Sequence, residues 1–329
     1  MRVLVAGGAG YIGSVVSQHL IEAGHTVTIY DNLSKGHHGA LPRQAQFELG
    51  DILDRARLDE VLDQGPYDAI LHFAAFIEAG ESMKDPGRFF HNNVSGSLTL
   101  IEAAAAHRVP RFVFSSSAGV YASQDRPINE SDPIGAASVY GHTKRMIEEI
   151  LGWYHRIYGL SYAALRYFNA AGATGERGEA HQPESHLIPL VLQVALGQRE
   201  AIAIYGSDYP TPDGTCIRDY IHITDLATAH VLALHGLETR SEMIYNLGNG
   251  SGYSVMDVVQ AAREITGRPI PIRLAARRPG DPARLVASSE KARSELGWAP
   301  CYPDLCDIIL SAWQWHQKHP DGYEDIYEH

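Results

Sequence analysis

The first half of the chain alternates short apolar runs with longer amphipathic ones. The short runs predict strands at residues 2–6, 26–30, 69–73, 111–115 and 162–168. The longer runs carry apolar residues at helical spacing and predict helices at 11–23, 54–64, 89–107 and 140–158. Strands that alternate with helices indicate right-handed βαβ crossovers. We therefore predict an α/β fold with a Rossmann-type doubly wound parallel sheet, covered by helices on both faces.

The regular alternation of strands and helices ends after Phe168, where glycine and proline become frequent and the later predicted elements are shorter. We place a domain change there. Residues 1–168 are expected to form the first domain, and residues 169–329 a smaller C-terminal α/β domain. A segment at about 214–247 is expected to return to the first sheet.

Composition and charge narrow the class of protein. The chain has 329 residues, 45% of them hydrophobic, and its 27 basic and 39 acidic residues give a net charge of −12. A disordered chain is thereby excluded, and a general nucleic-acid or anionic-membrane surface is disfavoured. The three cysteines form no CxxC pair, and we see neither a signal peptide nor an apolar run of the roughly 18 to 20 residues that a membrane span needs. We expect a cytoplasmic protein that binds neither nucleic acid nor membrane.

A glycine-rich turn follows the first predicted strand and opens the first predicted helix. Gly7, Gly10 and Gly13 form a GxxGxxG pattern, which permits a tight turn and close approach of the backbone to a pyrophosphate at the helix N-terminus. Asp31 ends the second strand, where a carboxylate accepts hydrogen bonds from ribose hydroxyls and repels a 2′-phosphate. This combination predicts NAD in preference to NADP.

A second chemical pattern lies on the predicted helix at 140–158. Tyr140 and Lys144 are one turn apart, so both project from the same face. A nearby lysine and a positive nicotinamide ring would lower the tyrosine pKa and let it act as a base. The pair alone is common on helix surfaces, but the serines at 115–117 end the preceding strand on the side where parallel sheets bind ligands.

Beyond these patterns, the chain contains RYFN at 166–169, DYPT at 208–211, GTCIRDYIH at 214–222 and RPGD at 278–281. With them it resembles, nearly end to end, the extended short-chain dehydrogenase/reductase family, and within it the UDP-glucose (UDP-galactose) 4-epimerase group. The resemblance implies an NAD-dependent, reversible inversion at C4 of a UDP-hexose through a transient 4-keto sugar. It also implies a homodimer paired through the helices at 89–107 and 140–158.

The resemblance also implies roles for individual residues. Tyr140 would be the base, Lys144 its partner, and Ser117 the residue that hydrogen-bonds the sugar's 4′-oxygen. Contacts with NAD would come from Tyr140, Lys144, Gly7, Gly10, Tyr11, Ile12, Gly13, Asp31, Asn32, Leu33, Ser34, Lys35, Gly36, Asp51, Ile52, Phe73, Ala74, Ala75, Asn92, Ser115 and Phe168. Contacts with the UDP-sugar would come from Ser117, Tyr140, Asn169, Leu187, Ala203, Ile204, Tyr205, Arg218, Arg278, Asp281 and Leu285.

Several alternatives stay open. Asp51 fits an ordinary helix N-cap as well as an adenine contact, and arginines such as Arg218 and Arg278 are often only solvated. Five arginines between residues 268 and 284 against one aspartate give a local charge of +4 suited to phosphate. Leu285 lies where some relatives carry a tyrosine and others a small residue, so N-acetylated UDP-hexoses remain candidates.

Other kinds of function are less favoured. Dehydratases of the family carry an Asp-Glu pair after a threonine at the strand end, whereas here Ala118 and Gly119 follow Ser117. A non-catalytic NAD-binding regulator would often lack the tyrosine and lysine. No HxH or HExxH spacing occurs, so we predict no metal site.

Overall fold

The computed structural model describes residues 1–278 and 281–324, and its main element is a seven-stranded sheet. The strands, in chain order, are β1 (Arg2–Ala6), β2 (Thr26–Asp31), β3 (Gln46–Leu49), β4 (Ala69–His72), β5 (Arg111–Ser117), β6 (Ser161–Tyr167), β7 (Asn169–Ala171), β8 (Ile202–Tyr205), β9 (Ile217–Arg218), β10 (Tyr220–His222), β11 (Glu242–Leu247), β12 (Tyr253–Ser254), β13 (Ile272–Ala275) and β14 (Arg284–Leu285). The large sheet has the order β11-β6-β5-β4-β1-β2-β3, and every pairing in it is parallel. The predicted α/β class with a Rossmann-type sheet is confirmed.

Helices cover both faces of this sheet. The helices of the described residues, in chain order, are α1 (Tyr11–Glu22), α2 (Arg55–Leu62), α3 (Ala79–Ser82), α4 (Pro86–Phe89), α5 (Gly96–Ala106), α6 (Val139–Tyr158), α7 (Leu187–Ala195), α8 (Ile223–Gly236), α9 (Val255–Thr266), α10 (Glu290–Leu296) and α11 (Leu305–Lys318). Of these, α1, α2, α5, α6 and α8 pack against the large sheet. Val3 and Val5 of β1 pack into one apolar cluster with residues of α1 and α8, while Leu4 and Ala6 pack into another with α2, α5 and α6. Because β1 is buried on both sides, its sequence is a continuous apolar run.

The helix expected at 89–107 is interrupted. Residues 90–95 form a wider, π-helical turn between α4 and α5. There Asn93 is fully buried and exchanges two hydrogen bonds of 2.9 Å with the backbone of Phe76, in the loop after β4. The bulge therefore ties this loop to the helical layer, which fits the frequent occurrence of such turns beside functional sites.

The remaining strands form smaller sheets beyond the carboxyl edge of the large one. They pair as β10 with β7, as β12-β9-β14, and as β13 with β8. A third apolar cluster draws on α7, α9 and α11. The chain crosses between the two parts more than once, since β11 lies beside β6 at the edge of the large sheet.

Within residues 1–278 and 281–324, no helix combines the length and the apolar character that crossing a bilayer requires.

Candidate functional site

A long cleft runs along the carboxyl ends of the parallel strands. Its walls come from the turns after β1, β2, β4 and β5, from the first turn of α6, and from the segment after β6. Ligands of open α/β sheets bind at this edge. The glycine turn and the pair Tyr140 and Lys144 both lie at this end of the sheet.

The glycine turn forms the floor of the cleft between β1 and α1. Gly7 has a φ of +81°, and a Cβ there would lie 2.3 Å from the backbone nitrogen of Ala74. A Cβ on Gly13 would lie 2.2 Å from the carbonyl oxygen of Gly7. Gly10 is the N-cap of α1 and supplies no side-chain hydrogen bond, so the first N–H groups of the helix stay available. This is a cradle shaped for a diphosphate.

Asp31 lies at the end of β2 against that turn. Its two carboxylate oxygens accept hydrogen bonds from the backbone N–H groups of Ala9 at 2.9 Å and Leu33 at 2.8 Å. Burial raises the pKa of Asp31, and the two backbone hydrogen bonds oppose that rise. The carboxylate is thus held rigidly at the cleft wall, where it suits ribose hydroxyls and disfavours a 2′-phosphate.

Asp51 does not cap α2. Its oxygens accept hydrogen bonds of 2.8 Å from the backbone of Leu53 and from the side chain of Asn32, whereas the N-cap of α2 is Asp54. The N-cap interpretation of Asp51 is therefore wrong. The residue instead links the turn after β3 to the turn after β2, and its neighbour Ile52 lines the cleft.

Tyr140, Lys144 and Ser117 meet at the other end of the cleft. Helix α6 begins at Val139 with Ser138 as its cap, which places Tyr140 in the first turn. The side chain of Ser117, at the end of β5, is close enough to that of Tyr140 to lower the pKa of the phenol. Lys144 Nζ donates to the carbonyl oxygen of Ser115 at 2.7 Å and lies 5.8 Å from the centre of the Tyr140 ring. A phenol that can exchange a proton, a neighbouring hydroxyl and a lysine are thus brought together.

Burial controls the ionisation of both groups. It raises the pKa of Tyr140 to about 12, and Glu78 adds to this rise while the neighbouring Ser117 hydroxyl opposes it. Burial lowers the pKa of Lys144 to about 7, against the attraction of Glu148. The lowered tyrosine pKa that we expected is therefore not a property of the protein groups alone. A further positive charge beside the phenol would be needed to produce it.

A buried network of polar side chains contacts the end of β5 through Ser116. Glu148 accepts hydrogen bonds from Ser116 Oγ at 2.6 Å, Arg166 Nε at 2.9 Å and Arg166 Nη2 at 2.6 Å. Arg166 also donates to the hydroxyl of Tyr121 at 2.7 Å, and that hydroxyl donates to Asn246 at 2.8 Å. Glu148 and Arg166 have side chains only 2% and 3% exposed. The network joins β5, β6, α6 and β11 directly behind the serines.

Another polar group lies among the smaller sheets. Arg218 Nη2 is 3.3 Å from Asp281 Oδ1, and the guanidinium carbon of Arg278 is 3.9 Å from the centre of the Tyr205 ring. Pairing of β14 with β9 places Leu285 opposite Arg218. The two pairs are connected, because the backbone N–H of Asp281 donates to the carbonyl oxygen of Arg278 at 3.3 Å. None of these residues is among those that line the cleft.

Comparison with known proteins gives this geometry a context. Residues 3–248 match the model of the NAD dependent epimerase/dehydratase family. The chain belongs to this family. It is 52% identical to the UDP-glucose 4-epimerase of Halalkalibacterium halodurans over 98% of both chains.

Solved structures of this family agree. A UDP-glucose 4-epimerase crystal structure has a TM-score of 0.95 at 49% identity, covering 98% of this chain and 100% of the other. The structure of the Bifidobacterium longum UDP-glucose 4-epimerase with NAD+ and UDP has a TM-score of 0.94 at 36% identity, with the same coverage.

Most residues predicted for this family's cofactor line the cleft: Gly7, Gly10, Tyr11, Ile12, Gly13, Asp31, Asn32, Ser34, Lys35, Gly36, Ile52, Phe73, Ala74, Ala75, Asn92, Ser115, Tyr140, Lys144 and Phe168. Ser117 and Asn169, predicted for the substrate, also line it. Leu33 and Asp51 lie in turns beside the cleft and hold its wall through backbone or side-chain hydrogen bonds. Their roles in binding stay predictions.

The other residues predicted for the substrate lie beyond these walls. Leu187 is the first residue of α7, and Ala203, Ile204 and Tyr205 belong to β8. Two of the five arginines between residues 268 and 284 already have acidic partners: Arg273 pairs with Glu200 at 2.6 Å, and Arg277 pairs with Asp208 at 2.7 Å. The local charge of +4 is therefore partly neutralised by acids from earlier in the chain. Pro279 and Gly280 of the RPGD motif lie outside the described residues.

The cleft also has walls that the sequence patterns missed: Tyr30, Gly50, Phe76, Ile77, Glu78, Tyr167, Ala170, Glu179, His181 and His186. Glu78 pairs with Lys35 at 3.0 Å and so joins the loops after β4 and β2. The hydroxyl of Tyr167 is hydrogen-bonded to Ser115. Glu179, His181 and His186 come from an irregular loop, and their only sequence signal is a Glu-x-His spacing that occurs twice.

Proposed function

We propose that this chain catalyses the NAD-dependent, reversible epimerisation of UDP-glucose and UDP-galactose at C4 of the hexose. The observation that carries the proposal is the meeting of Ser117, Tyr140 and Lys144 at one end of a cleft whose other end is built for a diphosphate and a ribose. Curated relatives at about 50% identity carry the name UDP-glucose 4-epimerase.

The glycine cradle and Asp31 fit NAD, which when bound would accept a hydride from C4 of the sugar and return it to the opposite face. Tyr140 takes the proton from the 4′-hydroxyl and later gives it back. Ser117, whose hydroxyl lies beside Tyr140 and lowers the pKa of the phenol, orients that proton. Lys144, held by the carbonyl of Ser115 at 2.7 Å, contributes positive charge that favours the phenolate.

We assign the anchoring of the UDP group to Arg218 and Arg278, with Asp281 toward the uridine ribose. A guanidinium offers paired N–H donors that suit a diphosphate. The ion pair between Arg218 and Asp281 is only part-buried, so it can exchange for a ligand without leaving a charge isolated in the core. A firm hold on UDP and a loose hold on the hexose would let the 4-keto sugar turn between the two transfers.

The test of this function is an incubation of the purified protein with UDP-galactose, without added cofactor. UDP-glucose should appear, and Tyr140→Phe should remove most of the turnover because the phenol is the only proton carrier proposed. Tyr302→Phe, which alters an exposed ring outside the cleft, should keep wild-type activity. Near-normal turnover by Tyr140→Phe would contradict the assignment of the base.

A second candidate is an epimerase that also accepts UDP-N-acetylhexosamines. The side chain of Leu285 packs with the apolar cluster that includes Phe168, and leucine is intermediate in size between the tyrosine and the small residues of relatives. One structurally similar protein, at 36% identity, is named a UDP-Glc/GlcNAc 4-epimerase. Repeating the incubation with UDP-N-acetylgalactosamine separates the two specificities.

We further propose a homodimer that pairs through α5 and α6. On α6 the side chains of Trp153, Ile157 and Tyr158 are 58%, 65% and 67% exposed, a concentration of apolar surface expected of an interface. Ile157→Arg should give monomers in sedimentation equilibrium, whereas Leu310→Arg, at an exposed site on α11, should not. An unchanged mass for Ile157→Arg would contradict the interface.

We also propose a cytoplasmic location and two functional lobes, divided after Phe168 except that α8 and β11 return to the first lobe. All three cysteines, Cys216, Cys301 and Cys306, are free, as a reducing compartment favours. The first lobe would hold the dinucleotide and the second the UDP-sugar.

A further inference from the structure

An unusual group of side chains lies in the wall of the cleft, in the loop before α7. It consists of Glu179, His181, Glu184 and His186, which we call the Glu–His cluster. One ligand atom from each residue can be chosen so that all four lie within 4.8 Å of one another. The carboxylates are almost completely buried, with side chains 6% exposed for Glu179 and 4% for Glu184.

The charges of the cluster need an explanation. Two buried carboxylates side by side repel each other unless a positive charge lies between them. In the part of the chain that the structure describes, the ion-pair partners of Glu179 and Glu184 are the two histidines of the cluster. Both imidazole Nδ1 atoms lie within 3.1 Å of a carboxylate oxygen, so protonated imidazoles can balance the charge when no ion is bound. With neutral imidazoles the group would carry a charge of −2, which one divalent cation would balance.

The geometry also suits a cation. Glu179 Oε1 lies 3.1 Å from His181 Nδ1 and 2.7 Å from His186 Nδ1, and Glu184 Oε1 lies 3.0 Å from His186 Nδ1. A tetrahedral ion with bonds of about 2.0–2.1 Å holds its ligand atoms about 3.3 Å apart. The observed separations, from 2.7 Å to the 4.8 Å limit, bracket that value. To surround one ion, the loop would have to shorten the longest of these separations. It would also have to release Glu184 Oε1 from the backbone N–H groups of Ser185 and His186, which donate to it at 2.7 and 2.8 Å.

We propose that the Glu–His cluster binds a divalent first-row transition ion, with zinc the best match. Two imidazole nitrogens and two carboxylate oxygens are ligands that zinc accepts, whereas calcium and magnesium prefer oxygen alone. Four protein ligands leave no open position, so the ion is structural. It closes the loop at residues 179–186 on itself, beside the cleft.

The loop is already fastened to the dinucleotide side of the cleft. Lys35 Nζ donates to the carbonyl oxygen of Gln182 at 3.0 Å, and the ring nitrogen of His37 lies 2.9 Å from the carbonyl oxygen of Ala180. The ring of His181 meets that of Tyr11 edge to face at 6.3 Å. An ion in the cluster would thus stiffen a wall that spans the first turn of α1 and the turn after β2.

Metal binding can be measured without substrate or turnover, so the outcome is independent of the proposed epimerase activity. The full-length protein is treated with a chelator, dialysed, and titrated with Zn²⁺ or Co²⁺. We expect one zinc ion per chain by elemental analysis after dialysis, and visible Co²⁺ absorption bands of tetrahedral type. Wild-type protein that retains no zinc and gives no such bands would overturn the proposal and leave protonated histidines as the balancing charge.

Variants locate the site. His186→Gln and Glu179→Gln should weaken zinc binding more than about tenfold, because losing a direct ligand costs at least as much as losing a group that orients one. His235→Gln is the matched control, since His235 pairs with Glu238 at 3.1 Å on the surface. It should bind zinc as the wild type does. Equal binding by His186→Gln and the wild type would place the ion elsewhere and refute the assignment.

Discussion

The pair formed by Glu148 and Arg166 allows a quantitative test of the network behind the active-site serines. Glu148→Gln removes the negative charge but keeps the size of the side chain. Because both partners are at most 3% exposed, the guanidinium of Arg166 would be left charged and buried without a counter-ion. Breaking a buried pair in this way costs about 3–5 kcal/mol of unfolding free energy. Glutamine can still accept a hydrogen bond from Ser116, so we expect a loss near 3 kcal/mol.

The next residue on the same helix provides the control. Glu149 pairs with Arg145 at 2.8 Å, but its side chain is 55% exposed, so Glu149→Gln should cost at most about 1 kcal/mol. Equilibrium urea unfolding followed by circular dichroism measures both variants against the wild type. If the two substitutions destabilise the protein equally, the network does not carry the stability that its burial implies.

Three further predictions concern the cleft. Gly7→Ala and Gly24→Ala both place a side chain at positive φ, but only Gly7→Ala adds a Cβ that lies 2.3 Å from a backbone atom. Only Gly7→Ala should therefore lose bound NAD on purification. Equal NAD content in the two variants would contradict the role of the glycine turn in holding the diphosphate. Burial lowers the pKa of Lys144 to about 7, against about 10.4 when unfolded. Between pH about 7 and about 10.4, Lys144 is protonated in the unfolded chain but not in the folded one. The unfolding free energy of the wild type should therefore rise with pH relative to that of Lys144→Met. Parallel plots of unfolding free energy against pH for the two proteins would refute the lowered pKa. Arg218→Met should raise the KM for UDP-galactose about tenfold or more with less effect on kcat, since a charged hydrogen bond contributes about 1.5–3 kcal/mol. Arg273→Met removes an exposed ion pair and should change neither constant.

The sequence was most informative where function depends on short-range backbone geometry. The glycine turn, Asp31 and the spacing of Tyr140 and Lys144 could be predicted because each depends on residues close together in the chain. The direction of the Tyr140 pKa could not, since it depends on burial by the assembled walls.

Irregular loops bring residues to the cleft that no sequence pattern indicated. Glu78 reaches the cleft from the loop after β4, and its pairing with Lys35 joins segments far apart in the chain. Glu179 and His186 meet only because the loop before α7 folds back on itself. HxH and HExxH spacings are typical of ligands on strands and helices, and they do not describe a cluster formed by a folded loop.

The position of β11 at the edge of the large sheet has a consequence for synthesis on the ribosome. Strand β6 emerges from the ribosome well before β11, which pairs with it from Glu242 to Leu247. During that interval β6 is an apolar edge strand with open backbone groups, a surface prone to pairing with other chains. We therefore expect a nascent chain stalled between the two strands to be prone to aggregation and to depend on chaperones.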